Sequence, residues 1–228
     1  KNRNWFYHHM MDKVIVPTSV PSTNEPLVQM LERGVNAADV GCGCGASTVA
    51  LAKRFPKSQF YAYESSPSSL QVLQQRIVDY NLTNVTVCDV AVRRLGDGPN
   101  PTSSSSDEDN TFSFVYAHDV IHDMPHPREF FDQVRKRLDK TSGCWIIVDV
   151  PCHPDLARNI HQPGAPLWFG YSCLLCLASA TSSRDGQGLG TCGFPASLCQ
   201  KWAHEAGFEH FEKRTVEGCS MDSCFVLG

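Results

Sequence analysis

The amino-acid sequence predicts an α/β fold built on a doubly wound, mostly parallel sheet. Three observations carry that prediction. Short β-like runs alternate with amphipathic helical stretches between residues 26 and 150, the rhythm of strand–helix–strand units. One run, Cys144–Val150, is apolar almost throughout, as a strand covered on both faces is. The first run leads straight into Asp39-Val40-Gly41-Cys42-Gly43-Cys44-Gly45. That is a glycine loop at the carboxyl edge, where such sheets bind ligands.

The elements follow in order. Residues 1–25 are aromatic and polar without periodicity, and read as an N-terminal segment ahead of a domain spanning 26–228. Pro26 opens a short helix through Arg33, with Gly34 just past its end, the usual placing of the two breakers. Ala37–Val40 is a strand, and Ser47–Phe55 a helix stopped by Pro56. Gln59–Glu64 alternates as a strand does. Ser66 and Pro67 then cap and start a helix with Leu70, Leu73 and Ile77 on its apolar side. Val85–Cys88 is the third strand. Residues 96–111 are rich in Gly, Pro, Ser and acids and are expected to be a mobile surface insertion, because they have little apolar surface to bury. Phe112–Ala117 is the fourth strand. Pro127 begins a helix that buries Phe130, Phe131, Val134 and Leu138, and Cys144–Val150 is the fifth strand. Residues 151–194 break the rhythm and read as an insertion forming a lid or pocket. Pro195–Ala206 is a helix closed by Gly207, and Phe208–Thr215 and Ser223–Leu227 are the last strands.

Composition narrows the function classes. The formal charge is −4 with no long basic run, which argues against a nucleic-acid partner, since phosphates are held by clustered Lys and Arg. No apolar run reaches the ~18 residues of a membrane span, so no membrane partner is expected. The 11 cysteines are scattered, often inside apolar runs. They read as reduced, buried thiols of a cytoplasmic protein rather than a disulfide framework. Asn81-Leu82-Thr83 and Asn84-Val85-Thr86 match a glycosylation acceptor pattern, read here as chance. The chain has neither a signal-peptide core nor an initiator Met at its start, so it is expected to be a fragment of a longer protein.

The glycine loop satisfies a loose dinucleotide pattern, Gly41-x-Gly43-x-x-Ala46. Two details favour a different ligand. The carboxylate of Asp39 can meet the ammonium of an amino-acid moiety, where a pyrophosphate would be repelled. The third glycine is Gly45, which makes the pattern Gly-x-Gly-x-Gly. Glu64, ending the second strand, can accept from both hydroxyls of a ribose. Asp89, after the third strand, can bond an adenine amine. These details favour the methyl donor S-adenosyl-L-methionine.

At these residues the sequence resembles the class I S-adenosylmethionine-dependent methyltransferases. Asp39–Gly45, Tyr63-Glu64 and Cys88-Asp89-Val90 match in order and spacing, over residues 35–150. The resemblance implies a Rossmann-like, seven-stranded sheet with an antiparallel last strand, and donor binding through Asp39, Gly41, Gly43, Gly45, Glu64, Asp89 and Val90. A narrower resemblance rests on Val120-Ile121-His122-Asp123-Met124-Pro125, Ile147-Val148-Asp149-Val150 and Gly188-Leu189-Gly190-Thr191. These look like the Rv2258c-like group, itself similar to small-molecule O-methyltransferases of the plant caffeate type. Such proteins carry a winged-helix-like segment ahead of the catalytic domain. This sequence does not include it, so it is expected either to have been trimmed or to mark a departure from the family, with a possible homodimer through that region.

Methyl transfer to a hydroxyl needs the acceptor aligned and its proton removed. His122, just past the fourth strand, is the candidate base, its ordinary pKa near 6.5 suiting the role. The resemblance assigns the same part to a histidine in this place. Asp149, ending the fifth strand, is the candidate partner that orients it. His118 is a candidate donor contact. Trp5, Phe6 and Tyr7 can cover a sulfonium, and Trp168, Phe169 and Tyr171 can line an acceptor pocket. Plain packing competes with both readings. His8-His9, Cys173-x-x-Cys176 and Cys192 with Cys199 do not form paired ligand motifs. Asp119, Asp123 and Asp149 can hold Mg²⁺, but the histidine makes a metal unnecessary, and none is expected. The function expected is methyl transfer from S-adenosylmethionine to a small-molecule acceptor, a hydroxyl above others. The alternatives are a nicotinamide-dependent oxidoreductase using the same loop, and a non-catalytic S-adenosylmethionine-binding regulatory protein.

Overall fold

The computed structural model of the chain describes residues 10–100, 110–216 and 222–228. The aromatic residues Trp5, Phe6 and Tyr7, the pair His8-His9 and most of the serine-rich run lie outside the described residues. Seven strands form one sheet in the order β3-β2-β1-β4-β5-β7-β6. They are β1 (Asn36–Val40), β2 (Gln59–Glu64), β3 (Val85–Asp89), β4 (Phe114–His118), β5 (Cys144–Asp149), β6 (Phe211–Thr215) and β7 (Ser223–Leu227). β1 pairs in parallel with β2 and β4, and β2 with β3. β6 and β7 are antiparallel. The predicted fold class is the observed one.

The chain divides into two compact units: residues through Ala117 with Lys136–Ile146 and Gly228, and His118–Arg135 with Ile147–Leu227. In the first unit β1 and β2 are buried almost end to end, as parallel strands are. Its helices are α1 (Leu27–Arg33), α2 (Ala46–Arg54) and α3 (Pro67–Asp79). Ser66 caps α3 by accepting from the Ser69 N–H, with Pro67 at the first turn. Asn84 ties the unit together. Its Nδ2 donates to the carbonyls of Ala52, Phe55 and Ser58 at 3.2, 3.2 and 2.9 Å. A side chain so engaged is no glycan acceptor in the folded chain.

The low-complexity run is more ordered at its edges than its composition predicts. Asn110 accepts from the Asn100 N–H and donates to the Asp97 carbonyl. The buried Arg137 donates to the carbonyls of Gly96 and Asn110. Residues 96–100 and 110 are thus held by specific polar bonds, which apolar content does not measure. Phe112, read as part of the fourth strand, forms only an isolated bridge to Leu138.

The second unit is cored by aromatic rings. Phe194 stands 5.9–6.2 Å, centroid to centroid, from Phe131, Trp202 and Phe225. Each such ring pair adds about 0.5–1.5 kcal/mol beyond the area it buries. The unit holds α4 (Pro127–Arg137) up to Arg135, then α5 (Leu156–Asn159), α6 (Ala165–Tyr171), α7 (Leu177–Ala180) and α8 (Ala196–Ala206). A π-helical stretch, Ser172–Cys176, joins α6 to α7. Gly207 ends α8 in the left-handed conformation, φ 88°. Among the described residues no helix is long and apolar enough to cross a membrane.

Candidate functional site

In the first unit, the edge of β1 opens into three left-handed glycines: Gly41, Gly43 and Gly45, with φ of 63°, 54° and 73°. Two of them are glycine for different reasons. A Cβ on Gly45 would stand 2.2 Å from Cδ1 of Leu73, whereas a Cβ on Gly43 would meet nothing within 4 Å. Gly45 is required by its own core, and Gly43 leaves the loop open to close approach.

The loop is pinned from several sides. Asp39 is buried, and its Oδ2 accepts from the hydroxyls of Ser47 and Thr48 at 2.7 and 2.6 Å, in the first turn of α2. Burial pushes its carboxyl up from 3.8 to about 6, against the lowering effect of those two hydroxyls. Glu64 Oε2 accepts from the Gly43 N–H at 2.8 Å, and Oε1 from the N–H groups of Ser65 and Ser66 at 2.7 and 2.8 Å. Arg76 donates to the Cys44 carbonyl. The Val90 N–H donates to the Glu64 carbonyl, and the Asp89 carboxylate accepts from the Ala91 N–H. Asp39, the three glycines, Glu64, Asp89 and Val90 are therefore brought together along the ends of β1, β2 and β3. Ser47, Thr48 and Arg76 were not foreseen as loop partners. A Ser-Thr pair directly after the glycines was the available signal for the first two.

In the second unit, His122 sits in a single 3-10 turn, Ile121–Asp123, after β4. Its Nδ1 is 2.6 Å from Oδ1 of Asp149, which also accepts from the Val150 N–H at 2.8 Å. Asp149 is wholly buried at the end of β5. The predicted pair is thus in direct contact. Burial drives the imidazole down, but the adjacent Asp149 carboxylate and its hydrogen bond outweigh that and hold His122 well above its ordinary 6.5. With Nδ1–H given to Asp149, Nε2 is the atom left to exchange a proton. That atom lies 3.4 Å from Asp123 Oδ1 and within reach of the Cys176 thiol. His118, ending β4, is pulled below 6.5 by burial, with Asp222 and Asp149 opposing.

The aromatic expectations divide. Trp168 is core, packed with Val150 and Cys192, and Phe169 lies against that cluster. Tyr171 is 49% exposed. A cleft of about 510 Å³ in this unit is lined instead by Pro154, Leu156, Leu189, Pro195, Leu198 and Lys201, among others. Cys173 is exposed and Cys176 buried, so the Cys-x-x-Cys pair does not converge.

Residues 38–144 match the model of a methyltransferase domain. The match begins inside β1 and takes in the whole glycine loop. No curated protein matches the sequence. The fold is shared with an O-methyltransferase family protein of Burkholderia thailandensis (16% identity, TM-score 0.62, covering 99% of this chain and 58% of that one). It is shared also with an O-methyltransferase family 2 protein of Planctomyces limnophilus solved in complex with apigenin (13%, 0.60, 99% and 58%). A third is an S-adenosylmethionine-dependent methyltransferase of Aquifex aeolicus (16%, 0.52, 85% and 80%). This chain spans 58% of the length of the first two.

Proposed function

We propose that the chain transfers a methyl group from S-adenosyl-L-methionine to a small-molecule acceptor, a hydroxyl compound above others. The observation that carries the reading is the methyltransferase-domain match falling on the Asp39–Gly45 loop. Gly43 there offers an unobstructed approach. Asp39 and Glu64 supply carboxylates for an ammonium and a ribose, and Asp89 and Val90 flank the adenine position. A ligand ammonium near Asp39 favours its charged form and offsets the burial that raises it. S-adenosylmethionine, when bound, supplies a methyl group on an electrophilic sulfonium.

The chain's own residues then handle the proton. His122 Nε2 accepts it from the acceptor hydroxyl, and Asp149 fixes the tautomer and stabilises the imidazolium that forms. At rest the same carboxylate favours the protonated ring, so proton loss from His122 precedes turnover. Residues 151–194 form the acceptor side of the domain. A small acceptor is supported by the Planctomyces relative, which was solved with apigenin. The cytoplasm suits a chain with so many free thiols.

Thermal shift tests the donor reading. A ligand at 100 times its Kd adds about 2.7 kcal/mol, or several degrees in a domain of this size. S-adenosylhomocysteine should give that shift and NADH none. The reverse would assign the loop to a nicotinamide cofactor. His122→Ala should keep the shift and lose most turnover of labelled methyl groups. Full turnover in that variant would remove His122 from the mechanism.

A further inference from the structure

Three donor atoms of different chemistry converge on the far side of His122. Its Nε2, a carboxylate oxygen of Asp123 and Sγ of Cys176 all lie within 4.8 Å of one another. Nε2 and Asp123 Oδ1 are 3.4 Å apart. Donor atoms around a tetrahedral zinc stand roughly 3.3–3.8 Å apart, given bonds of about 2.0–2.3 Å. A small inward movement of Cys176 therefore completes the set. Mixed nitrogen, oxygen and sulfur donors suit a borderline ion such as Zn²⁺, whereas Mg²⁺ and Ca²⁺ take oxygen alone.

Four further observations point the same way. Asp123 Oδ1 is buried and accepts no hydrogen bond among the described residues; it faces His122 Nε2 at 3.4 Å, so a metal ion bound to both would satisfy an oxygen that now has only a long ion pair. The other nitrogen of His122 is held by Asp149, the outer carboxylate commonly found behind a metal-bound imidazole. Cys176 Sγ accepts from the Thr191 hydroxyl at 3.0 Å, which fixes the direction of the sulfur. Cys176 also ends the π-helical stretch, an interruption that frequently marks functional positions.

We propose that His122, Asp123 and Cys176 form a zinc site whose occupation silences His122. Three protein ligands leave a fourth position for water. On binding, Zn²⁺ forms bonds to Nε2, a carboxylate oxygen and Sγ. The thiol proton, and the Nε2 proton where the ring is charged, pass to solvent, and no electron moves. With its lone pair on the metal, Nε2 no longer accepts a proton. That inhibition rests on the base reading above, whereas the binding does not. Sequence motifs do not reveal the site, because Cys176 joins two residues far from it in the chain and its motif neighbour Cys173 is not among the donors.

The test uses the purified chain stripped of metal, with Co²⁺ and Zn²⁺ as probes. One equivalent of Co²⁺ should give a thiolate-to-cobalt charge-transfer band that Zn²⁺ displaces. Cys176→Ser should lose the band. Zinc affinity, by competition with a chelating dye, should fall roughly tenfold or more in both Cys176→Ser and Asp123→Asn. Cys173→Ser should behave as the parent. Circular dichroism matching the parent shows that a variant has folded, and Cys176→Ala provides a second variant if Cys176→Ser has not. A band that persists without Cys176, or no zinc bound at micromolar concentration, overturns the proposal. Turnover measured in parallel separates the two readings. Zinc bound through Cys176 in a chain without methyl transfer sinks the base reading alone. His122-dependent transfer indifferent to zinc sinks the silencing.

Discussion

Gly43→Ala and Gly45→Ala place the same methyl group on two left-handed residues of one loop, and they should differ in cost. Their φ angles are 54° and 73°, so each substitution carries the left-handed penalty of a non-glycine residue, about 1–2 kcal/mol. Only the second meets packing, with Leu73 Cδ1 at 2.2 Å and Cγ at 3.2 Å. Leu73 is fully buried with Cys42 and Ala62, so its methyl has no free space to move into. Overfilling a core of this kind costs about 1–3 kcal/mol. Gly43→Ala should therefore lose about 1–2 kcal/mol and Gly45→Ala about 2–5 kcal/mol. At about 2–4 °C per kcal/mol for a chain of this size, the two melting points separate clearly. Urea unfolding followed by circular dichroism measures both free energies. Equal losses would refute the packing argument. Adding Leu73→Ala to the Gly45→Ala chain supplies an internal check, because the pair should lose at least ~1 kcal/mol less than the sum of the singles. Strict additivity would show that the contact does not bear on stability.

Three other outcomes can be measured. Asp39 has its carboxyl raised from 3.8 to about 6 when folded, so between those values the folded state binds more protons than the unfolded one. Stability should fall by about 3 kcal/mol as pH rises through that window, and Asp39→Asn should flatten the fall in pH-dependent denaturation. Phe194, 1% exposed among three rings, should cost about 3–5 kcal/mol as alanine, and a loss under 1 kcal/mol would show that the cluster repacks. Because Asp149 holds His122 protonated, the rising limb of log kcat/KM against pH should lie well above the ordinary histidine range near 6.5. Asp149→Asn should move it toward acid, and a limb near 6.5 in both proteins would contradict the coupling.

Much of this architecture was legible because it depends on local rules. Glycines in alternate places after an apolar strand demanded a left-handed loop, and all three adopt it. His122 and Asp149 could be paired in advance because each lies at the carboxyl end of a neighbouring strand, β4 or β5. What stayed hidden was contact across long stretches of chain. Nothing near residue 176 announces an imidazole, and nothing in a run of serines announces that Asn110 and Arg137 hold its edges. Trp168 shows another limit, since a pocket-lining aromatic and a core aromatic have the same composition. Here the ring packs against Val150 and Cys192.

The place of β7 bears on how the chain is made. Ser223–Leu227 is buried along its whole length and lies between β5 and β6. It is also the last of the seven strands to be synthesised. While it remains inside the ribosome, β6 has no seat in the sheet and β5 presents an unpaired edge, the kind of surface that recruits other chains. At about 5–20 residues per second, that exposure lasts on the order of several seconds for every molecule produced. The glycine loop and its three parallel strands are complete well before then. During that interval the nascent polypeptide carries a formed glycine loop and an open seam, and a chaperone or a pause in translation would have its greatest effect there.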